Sequence, residues 1–311
     1  MSFSTMVRRP FSSAGKRNTR LGMAASCAPS SDDSTRRRGG PGPSPQAAAP
    51  VKIGDAMREG TPLAGRVAVV TGGSRGIGRA TAIALARAGA DVVVAARTVE
   101  EGQARLPGTI AETAREVEAL GRRALAVPTD LTRDEQVEEL VRRTLETFGR
   151  ADILVNNAAV NYMAPFAEMP MRRWDLVLNV NLRGTVLCTR LFLPHMLERG
   201  RGTIVNVSSY LAVAPMPRTL AYGVSKIAIE KFSQGLAQEL LGTGVSVNCL
   251  RIETNVASEG WTFLNPGTDY STWERPEGAA ECIVWLAMQP PTLTGLVLSM
   301  ADVRRLRSQM A

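Results

Sequence analysis

The chain of 311 residues is poor in residue types on which several common functional sites depend. It contains one histidine, His195, and four cysteines, at positions 27, 188, 249 and 282, without a Cys-x-x-Cys spacing. Zinc sites need clustered thiol or imidazole ligands and small secreted folds need paired cysteines, so neither a metal site nor a disulfide framework is expected. No run approaches the roughly 18 apolar residues of a membrane-spanning helix, so no span is predicted.

Basic side chains exceed acidic ones only at one end of the chain. The formal net charge is +8, yet residues 1–60 alone carry ten Lys and Arg against four Asp and Glu. The remaining residues are therefore close to neutral. Because nucleic-acid binding requires clustered basic side chains that displace counterions, nucleic acid is not an expected partner.

Residues 1–60 are rich in Ser, Arg, Pro and Gly and lack apolar periodicity, which predicts a disordered extension. The first 31 residues contain no acid, five basic residues and seven serines, as organelle transit peptides do. A second interpretation is a nonessential extension, with Met23 or Met57 as the actual start. We expect a cytoplasmic protein, or one in a mitochondrial or other organelle matrix if the extension is a transit peptide.

After this extension, short apolar runs alternate with helical patterns. Strands are predicted at 67–71, 91–95, 124–127, 152–156, 202–208, 245–250 and 296–299, and helices near 76–89, 108–120, 133–148, 172–198, 220–241 and 276–288. Such alternation is typical of an α/β fold. We predict a single doubly wound Rossmann domain over residues 61–303, with a seven-stranded parallel sheet, helices on both faces, and a C-terminal tail over 304–311.

A glycine-rich loop directly follows the first predicted strand. It reads Thr71-Gly72-Gly73-Ser74-Arg75-Gly76-Ile77-Gly78 and leads into an alanine-rich helix. Glycines permit a tight turn and a close approach of the backbone to a pyrophosphate, and the helix N-terminus offers unpaired N–H groups. The loop therefore predicts a dinucleotide site.

The end of the second strand indicates which dinucleotide is preferred. The sequence there is Val94-Ala95-Ala96-Arg97, with no acidic residue to bind an adenosine ribose. Arg97 stands where a 2′-phosphate would lie, and Arg75 adds a second cation. We predict NADP(H) as the preferred cofactor, with NAD(H) possible; the alternative is that both arginines are simply solvated.

Tyr222 and Lys226 are four residues apart in a predicted helix, which places a phenol and an ammonium on one face. Both residue types are scarce, at four Tyr and four Lys in the chain. A cation about 4 Å from the phenol contributes about 4 kcal/mol at an effective dielectric of roughly 20, which would lower a phenol pKa by about three units. The pair can thus serve acid–base chemistry near neutral pH, although a solvated surface pair has the same spacing.

Taken in order with Asn156-Asn157-Ala158-Ala159, Asn181 and Ser209, these motifs resemble those of the short-chain dehydrogenase/reductase family over about residues 65–301. Ser209 precedes Tyr222 by thirteen residues, as in that family. Segments 102–110 and 290–295 resemble the hydroxysteroid-dehydrogenase-like type 2 group. The resemblance implies the Rossmann fold and an NAD(P)-dependent oxidoreductase acting on a CH–OH group.

The resemblance also implies roles for individual residues. Tyr222 would be the acid or base at the substrate oxygen, and Lys226 would lower its pKa and bind the nicotinamide ribose. Ser209 would hold the substrate oxygen, with Ser208 as the neighbouring alternative. Asn181 would hold a water in a proton relay behind Lys226.

Asp130 would bond the adenine amine, or alternatively cap the following helix, and Asn157 would support the adenosine end. The implied cofactor-binding residues are Gly72, Ser74, Arg75, Gly76, Ile77, Gly78, Arg97, Asp130, Leu131, Asn157, Tyr222 and Lys226. Two departures stand out. Ala159 replaces the usual glycine of the Asn-Asn-Ala-Gly motif, and the Pro-Gly that usually follows the sixth strand is missing, so we assign no residues in that loop.

The expected substrate is a small hydrophobic carbonyl compound or secondary alcohol, because the candidate pocket residues are mostly apolar. These are Tyr162, Met163, Tyr210, Leu211, Trp261 and Phe263, each of which would serve equally well in core packing. Two alternatives are a non-catalytic NADP(H)-binding regulatory or scaffold protein, and lyase or epimerase chemistry on the same scaffold. From the resemblance we also expect a homodimer or homotetramer built through the helices near 172–198 and 220–241.

Overall fold

A computed structural model describes residues 61–103 and 105–310; the predicted extension over residues 1–60 lies outside this part of the chain. Its strands are all parallel and form one sheet in the order β3-β2-β1-β4-β5-β6-β7. The strands are β1 Val67–Thr71, β2 Asp91–Ala96, β3 Ala124–Pro128, β4 Ile153–Asn156, β5 Gly202–Ser209, β6 Val245–Ile252 and β7 Val297–Ser299. The predicted Rossmann sheet is confirmed, with strand ends shifted by one or two residues.

The helices of the described residues are α1 Gly76–Arg87, α2 Ile110–Ala119, α3 Asp134–Phe148, α4 Met171–Leu178, α5 Gly184–Glu198, α6 Leu220–Glu239, α7 Glu259–Leu264, α8 Pro276–Met288 and α9 Met300–Met310. Local sequence explains several ends. The Thr109 and Glu112 side chains form a capping box at the start of α2. Gly149, at φ +70°, ends α3 in the left-handed conformation that glycine adopts without strain.

The core lies on both faces of the sheet because alternate strand residues point in opposite directions. From β1, Ala68 and Val70 pack on one face with Ile283 of α8. Val67 and Val69 pack on the other face with Phe192 of α5. Parallel strands that are covered on both faces are nearly continuously apolar, and for this reason the strands could be predicted from the sequence.

The strand order reverses between β1 and β4, so the connections leaving these neighbours run to opposite faces. In doubly wound sheets this reversal opens a crevice at the carboxyl ends of the strands, where ligands bind. Asn156 marks that edge, and its amide donates to the Asn206 Oδ1 of β5 at 2.9 Å. The crevice therefore lies directly above the glycine loop that follows β1.

The helix predicted over 172–198 is continuous from residue 171 but contains a π-helical turn, Asn179–Arg183, between α4 and α5. A helix of this length and hydropathy meets the simple criteria for a membrane span. However, Cys188, Phe192 and Met196 are buried in the core, and a core helix meets the same criteria. The π turn interrupts the regular α-helical hydrogen bonding between α4 and α5.

Two helices are absent from the sequence-based expectations. Residues 304–310, assigned to a tail, belong to α9, whose first N–H groups at Met300 and Ala301 donate to the Glu253 carboxylate at 2.9 and 2.7 Å. The tail boundary is thus corrected. The one-and-a-half-turn helix α7 lies in the loop after β6, where the usual Pro-Gly is missing.

Candidate active site

The carboxyl ends of the strands surround a cleft of about 650 Å³. Nearly all of the predicted site residues line it. They are Gly72, Ser74, Arg75, Gly76, Ile77, Gly78, Arg97, Asp130, Leu131, Asn157, Ser209, Tyr222 and Lys226. Residues from six separate segments of the chain thus meet in one place. Asn181 is the predicted site residue that does not line this cleft.

The glycine loop wraps tightly around the start of α1. Gly72 has a φ of +68° and Gly76 of +56°, which favours glycine at both positions. A Cβ on Gly78 would lie 2.2 Å from the Gly72 carbonyl oxygen, so no side chain fits there. The loop therefore presents bare backbone and the N-terminus of α1 to the cleft, as a pyrophosphate requires.

Asn157 holds this loop against the end of β4. Its amide donates to the carbonyl oxygens of Thr71 at 2.9 Å and Gly72 at 3.3 Å. In return, the Thr71 hydroxyl oxygen accepts hydrogen bonds from the backbone N–H groups of Asn157 and Ala158. The side chain thus supports the loop rather than pointing into open space.

Two guanidinium groups, those of Arg75 and Arg97, line the cleft. Arg75 donates to the Thr98 hydroxyl at 3.2 Å and to the Gly108 carbonyl at 3.0 Å, while its Nε is buried without a hydrogen-bond partner among the described residues. Burial lowers the pKa of Arg75, with Glu259 acting against this and the nearby Arg97 charge adding to it. Arg97 is exposed at the end of β2. Both guanidinium groups thus place positive charge in the cleft.

Asp130 lines the same cleft and lies near Arg97. Its carboxylate accepts from the backbone N–H of Thr132 at 3.0 Å and from the Thr132 hydroxyl at 2.8 Å. Burial acts to raise the pKa of Asp130, but these hydrogen bonds and the charge of Arg97 outweigh it and lower the pKa. The residue is thus an ionised turn former, and α3 begins four residues later, at Asp134.

Tyr222 and Lys226 project from α6 into the same cleft. The Lys226 ammonium lies 5.4 Å from the centroid of the Tyr222 ring and donates to the Val207 carbonyl at 2.8 Å. Burial raises the pKa of Tyr222 to about 12, against a smaller opposing effect of the Ser209 hydroxyl. Burial likewise lowers the pKa of Lys226 to about 8.

The expectation that Lys226 brings the phenol pKa toward neutrality is therefore wrong. That argument counted only the attraction between the ammonium and a phenolate. Burial removes the phenolate from water, and this desolvation raises the free energy of the charged form by more than the attraction of the ammonium lowers it. The phenol is consequently protonated at neutral pH.

The two neighbouring serines have different surroundings. The Ser208 hydroxyl is buried and donates to Glu230 Oε1 at 2.8 Å, and Glu230 in turn forms a two-point ion pair with Arg251 at 2.8 and 2.7 Å. Ser209 is partly exposed to the cleft, and its hydroxyl oxygen accepts from the Leu211 N–H at 3.3 Å. The Ser209 hydroxyl is thus accessible from the cleft, whereas the Ser208 hydroxyl links β5 to α6.

Asn181 is fully buried in the π turn. Its Oδ1 accepts from the Val160 N–H at 2.8 Å, and its Nδ2 donates to the Val160 carbonyl and to the Ser225 hydroxyl, both at 3.0 Å. The side chain is thereby committed to the loop after β4 and to α6, and makes no hydrogen bond to Lys226. Its part in a proton relay stays a prediction.

The mouth of the cleft is mainly apolar. Of the candidate pocket residues, Met163, Leu211 and Trp261 line it, and Met216 and Trp273 join them. The other three candidates, Tyr162, Tyr210 and Phe263, do not line the cleft: Tyr162 lies under the Arg173 guanidinium, and the other two are about half exposed. Sequence spacing alone could not separate the two groups.

Sequence reasoning missed Glu230, Arg251 and Glu259. Glu230 lies one helical turn beyond Lys226, so its spacing carried a signal. Arg251 and Glu259 carried none, because they lie near the end of β6 and at the start of α7, far in sequence from the groups they contact. Their partners, Glu230 on α6 and the start of α1, are brought to them only by the tertiary fold.

The comparison with known families agrees with this geometry. The model of the short chain dehydrogenase family matches residues 66–259, which contain every residue of the cleft discussed above except Trp261 and Trp273. This chain belongs to the short-chain dehydrogenase/reductase family. Membership assigns the domain as an NAD(P)-dependent oxidoreductase, and the bare glycine turn and the start of α1 fit such a cofactor. The Arg75 Nε, which has no hydrogen-bond partner among the described residues, fits it as well.

Among curated relatives, hydroxysteroid dehydrogenase-like protein 2 of Danio rerio is 35% identical over 243 residues, covering 78% of this chain and 58% of the relative. The chain therefore spans little more than half the length of that relative. The short chain dehydrogenase/reductase astE of Aspergillus oryzae is 38% identical over 239 residues, covering 72% of this chain and 88% of the relative.

Solved structures share the fold. A short chain dehydrogenase from Mycobacterium thermoresistibile has a TM-score of 0.73 at 32% identity, covering 78% of this chain and 88% of its own. A metagenomic short-chain oxidoreductase in complex with NADP has a TM-score of 0.64 at 31% identity, covering 76% and 98%. Carveol dehydrogenase of Mycobacterium avium in complex with NAD has a TM-score of 0.67 at 25% identity, covering 76% and 96%.

Proposed function

We propose that this protein is an NADP(H)-dependent oxidoreductase that interconverts a carbonyl group and a secondary alcohol on a small hydrophobic molecule. The observation that carries the proposal is the meeting of Tyr222, Lys226 and Ser209 in the cleft that also holds the glycine turn. A dinucleotide whose pyrophosphate lies on the start of α1 would extend along this cleft toward Tyr222.

When bound, the nicotinamide supplies or accepts a hydride. The residues of the chain then handle the substrate oxygen and its proton. Ser209 donates a hydrogen bond to that oxygen, and Tyr222, protonated because burial raises its pKa to about 12, gives it a proton during reduction. Lys226, held by the Val207 carbonyl, places a positive charge that stabilises the resulting phenolate.

The preference for NADP(H) is supported by charge at the adenosine end. Arg97 and Arg75 provide two cations beside the predicted ribose position, and the residue directly after β2 is Arg97 rather than an acid that would bind a free 2′-hydroxyl. Among the relatives, one solved structure holds NADP and another NAD, so the family accommodates either cofactor. The arginines favour NADP(H) in this chain.

A hydrophobic substrate is supported by the apolar mouth of the cleft. Met163, Leu211, Met216 and Trp261 line it, and the acidic and basic residues that line the cleft lie at the cofactor end or at Lys226. A charged substrate would lose hydration there without gaining an ionic partner. An apolar body carrying one carbonyl or hydroxyl group near Ser209 suits this lining best.

The test is a panel of hydrophobic carbonyl compounds and secondary alcohols, followed by NADPH or NADP absorbance. We expect turnover of at least one member, and a loss of about 10²- to 10⁴-fold in kcat for Tyr222→Phe. Tyr210→Phe, which changes a phenol outside the cleft, should retain full activity. Binding of NADPH without turnover of any compound would favour a regulatory protein, and product formation without net cofactor consumption would indicate a lyase or epimerase.

A homodimer or homotetramer is also proposed, with α6 in the interface. Leu220, Val224 and Ile227 follow one another at helical spacing along its outer face and are 38–48% exposed. An apolar stripe of this kind is stabilised by burial against a second copy. Location in the cytoplasm or in an organelle matrix stays a prediction, because it depends on residues 1–60.

A further inference from the structure

A carboxylate of the chain itself lies at the N-terminus of α1. Glu259 Oε2 accepts a hydrogen bond from the Gly76 N–H at 2.6 Å. Gly76 is the first residue of α1, where the proposed function places the cofactor pyrophosphate. The Gly76 N–H, which is expected to bind a phosphate of the cofactor, is therefore already bound to the carboxylate of Glu259 from α7.

The contact is supported from both sides. Glu259 Oε1 lies 3.5 Å from the Arg79 guanidinium of α1. Ser258 packs so closely against Gly76 that a Cβ added to Gly76 would lie 3.1 Å from the Ser258 Cβ. The base of the segment is fixed where the Ala257 N–H donates to the Glu274 carbonyl at 2.9 Å. The loop after β6 thus folds back onto the glycine turn.

A pyrophosphate and the Glu259 carboxylate cannot share this position. The Gly76 N–H is a single donor, and two anions at hydrogen-bond distance from it would repel each other. We propose that Glu259 is an internal competitor of the cofactor, a latch that occupies the pyrophosphate position and has to leave before a dinucleotide binds. This proposal rests on the proposed function, and it adds a regulatory contact to that site.

The surroundings allow the latch to open. No residue of α7 is buried, and Phe263 and Leu264 are about half exposed, so little packing holds the helix in place. Arg79 keeps a second carboxylate partner, Glu116 of α2 at 2.7 Å, when Glu259 leaves. Opening therefore leaves Arg79 paired with Glu116, and the bound phosphate takes over the Gly76 N–H.

Opening also affects the substrate end of the cleft. Trp261 lies two residues after Glu259, and its ring packs 5.9 Å from that of Trp273, which contacts Tyr270 at 5.0 Å. Both tryptophans line the cleft. Displacement of Glu259 thus moves Trp261, which forms part of the wall of the substrate pocket. The pocket therefore takes its final shape only after the cofactor has bound.

The first test measures NADPH affinity of the full chain by isothermal titration calorimetry. Glu259→Gln and Glu259→Ala should lower the Kd about threefold to tenfold, because a carboxylate at a helix N-terminus no longer competes and the binding-competent fraction rises. The matched control is Glu281→Gln, which removes an exposed carboxylate paired with Arg307 at 3.2 Å outside the cleft, and it should leave the Kd unchanged. A Kd that is unchanged or higher in both Glu259 variants would overturn the latch.

The second test needs no cofactor. In hydrogen exchange followed by mass spectrometry, residues 257–264 should exchange faster in cofactor-free Glu259→Gln than in the unaltered protein, and saturating NADPH should abolish the difference. Equal exchange without cofactor, or a difference that persists with it, contradicts the proposal. If the unaltered protein and both variants bind neither NADPH nor NADH, the proposed function itself fails; measurable binding with an unchanged Kd refutes only the latch.

Discussion

Lys226 is an ammonium group held almost entirely out of water at the centre of the candidate site. It is 2% exposed, and the Val207 carbonyl is its hydrogen-bond acceptor among the described residues. Burial lowers its pKa to about 8 from 10.5, which means that the folded protein binds this proton less tightly than the unfolded chain. Folding stability is therefore reduced wherever the amine has to be charged in the folded state.

The sign of this effect gives a pH-dependent prediction. Above pH 10.5 the amine is neutral in both the folded and the unfolded state, so its burial does not lower the free energy of unfolding. As the pH falls to about 8 the unfolded chain binds the proton more tightly, and the folded state loses stability relative to it. From pH 7 to 9.5 the unaltered protein should gain about 2 kcal/mol of unfolding free energy relative to Lys226→Met. Urea unfolding of both proteins at the two pH values measures this, and a constant difference would contradict it. The raised pKa of Tyr222 acts oppositely, but only above about pH 10.

Arg97 is the residue on which cofactor preference is expected to depend. Replacing it with alanine should raise the KM for NADPH by roughly 10- to 100-fold, the usual effect of losing a hydrogen bond to a charged group. The KM for NADH should change little. Arg87→Ala, which removes an exposed guanidinium from the far end of α1, is the control. Equal effects of Arg97→Ala on both cofactors would argue against recognition of a 2′-phosphate.

At the scale of elements, the glycine turn is defined by the absence of side chains. Gly78→Ala would place a Cβ 2.2 Å from the Gly72 carbonyl oxygen, so the turn has to open. We expect a loss of NADPH binding by at least about tenfold together with a lower Tm, since overpacking costs about 1–3 kcal/mol.

Gly235 of α6 provides the matched control, because a Cβ there meets nothing within 4 Å. Gly235→Ala should leave NADPH binding intact and stabilise the protein by up to about 1 kcal/mol, since alanine is the better helix former. Thermal unfolding and NADPH titration of both variants separate the two effects. Intact cofactor binding in Gly78→Ala would mean that the turn tolerates a side chain.

Elements with strong local patterns were predictable, and those fixed by distant contacts were not. The buried strands are apolar runs, and α2 begins at a capping box, so both carry their own signals. The π turn at Asn179–Arg183 has no such signal; it is accompanied by the hydrogen bonds of Asn181 to Val160 and Ser225, which are remote in sequence. Helix α7 likewise depends on contacts with α1 and with the strand-like bridge at Val256 and Glu274.

At the scale of the whole molecule, the apolar outer face of α6 decides the proposed assembly. Ile227→Glu should convert the oligomer to a monomer, because a carboxylate buried in a self-association interface loses its hydration. Light scattering at micromolar concentration should then give the mass of one chain. Leu120→Glu, an equally exposed leucine at the end of α2, should leave the mass unchanged. A monomer before any substitution would refute the assembly.

The sequence by itself determined the parallel sheet, the glycine turn and the spacing of Ser209, Tyr222 and Lys226, because these depend on local backbone geometry and on residues close in the chain. The tertiary structure decided the protonation state and the hydrogen-bond partners of these groups. Burial keeps the Tyr222 phenol protonated, and Glu259, 183 residues from Gly76, is brought to the start of α1. Desolvation and contacts between distant segments arise only when the chain is folded, so they cannot be predicted from a local sequence pattern.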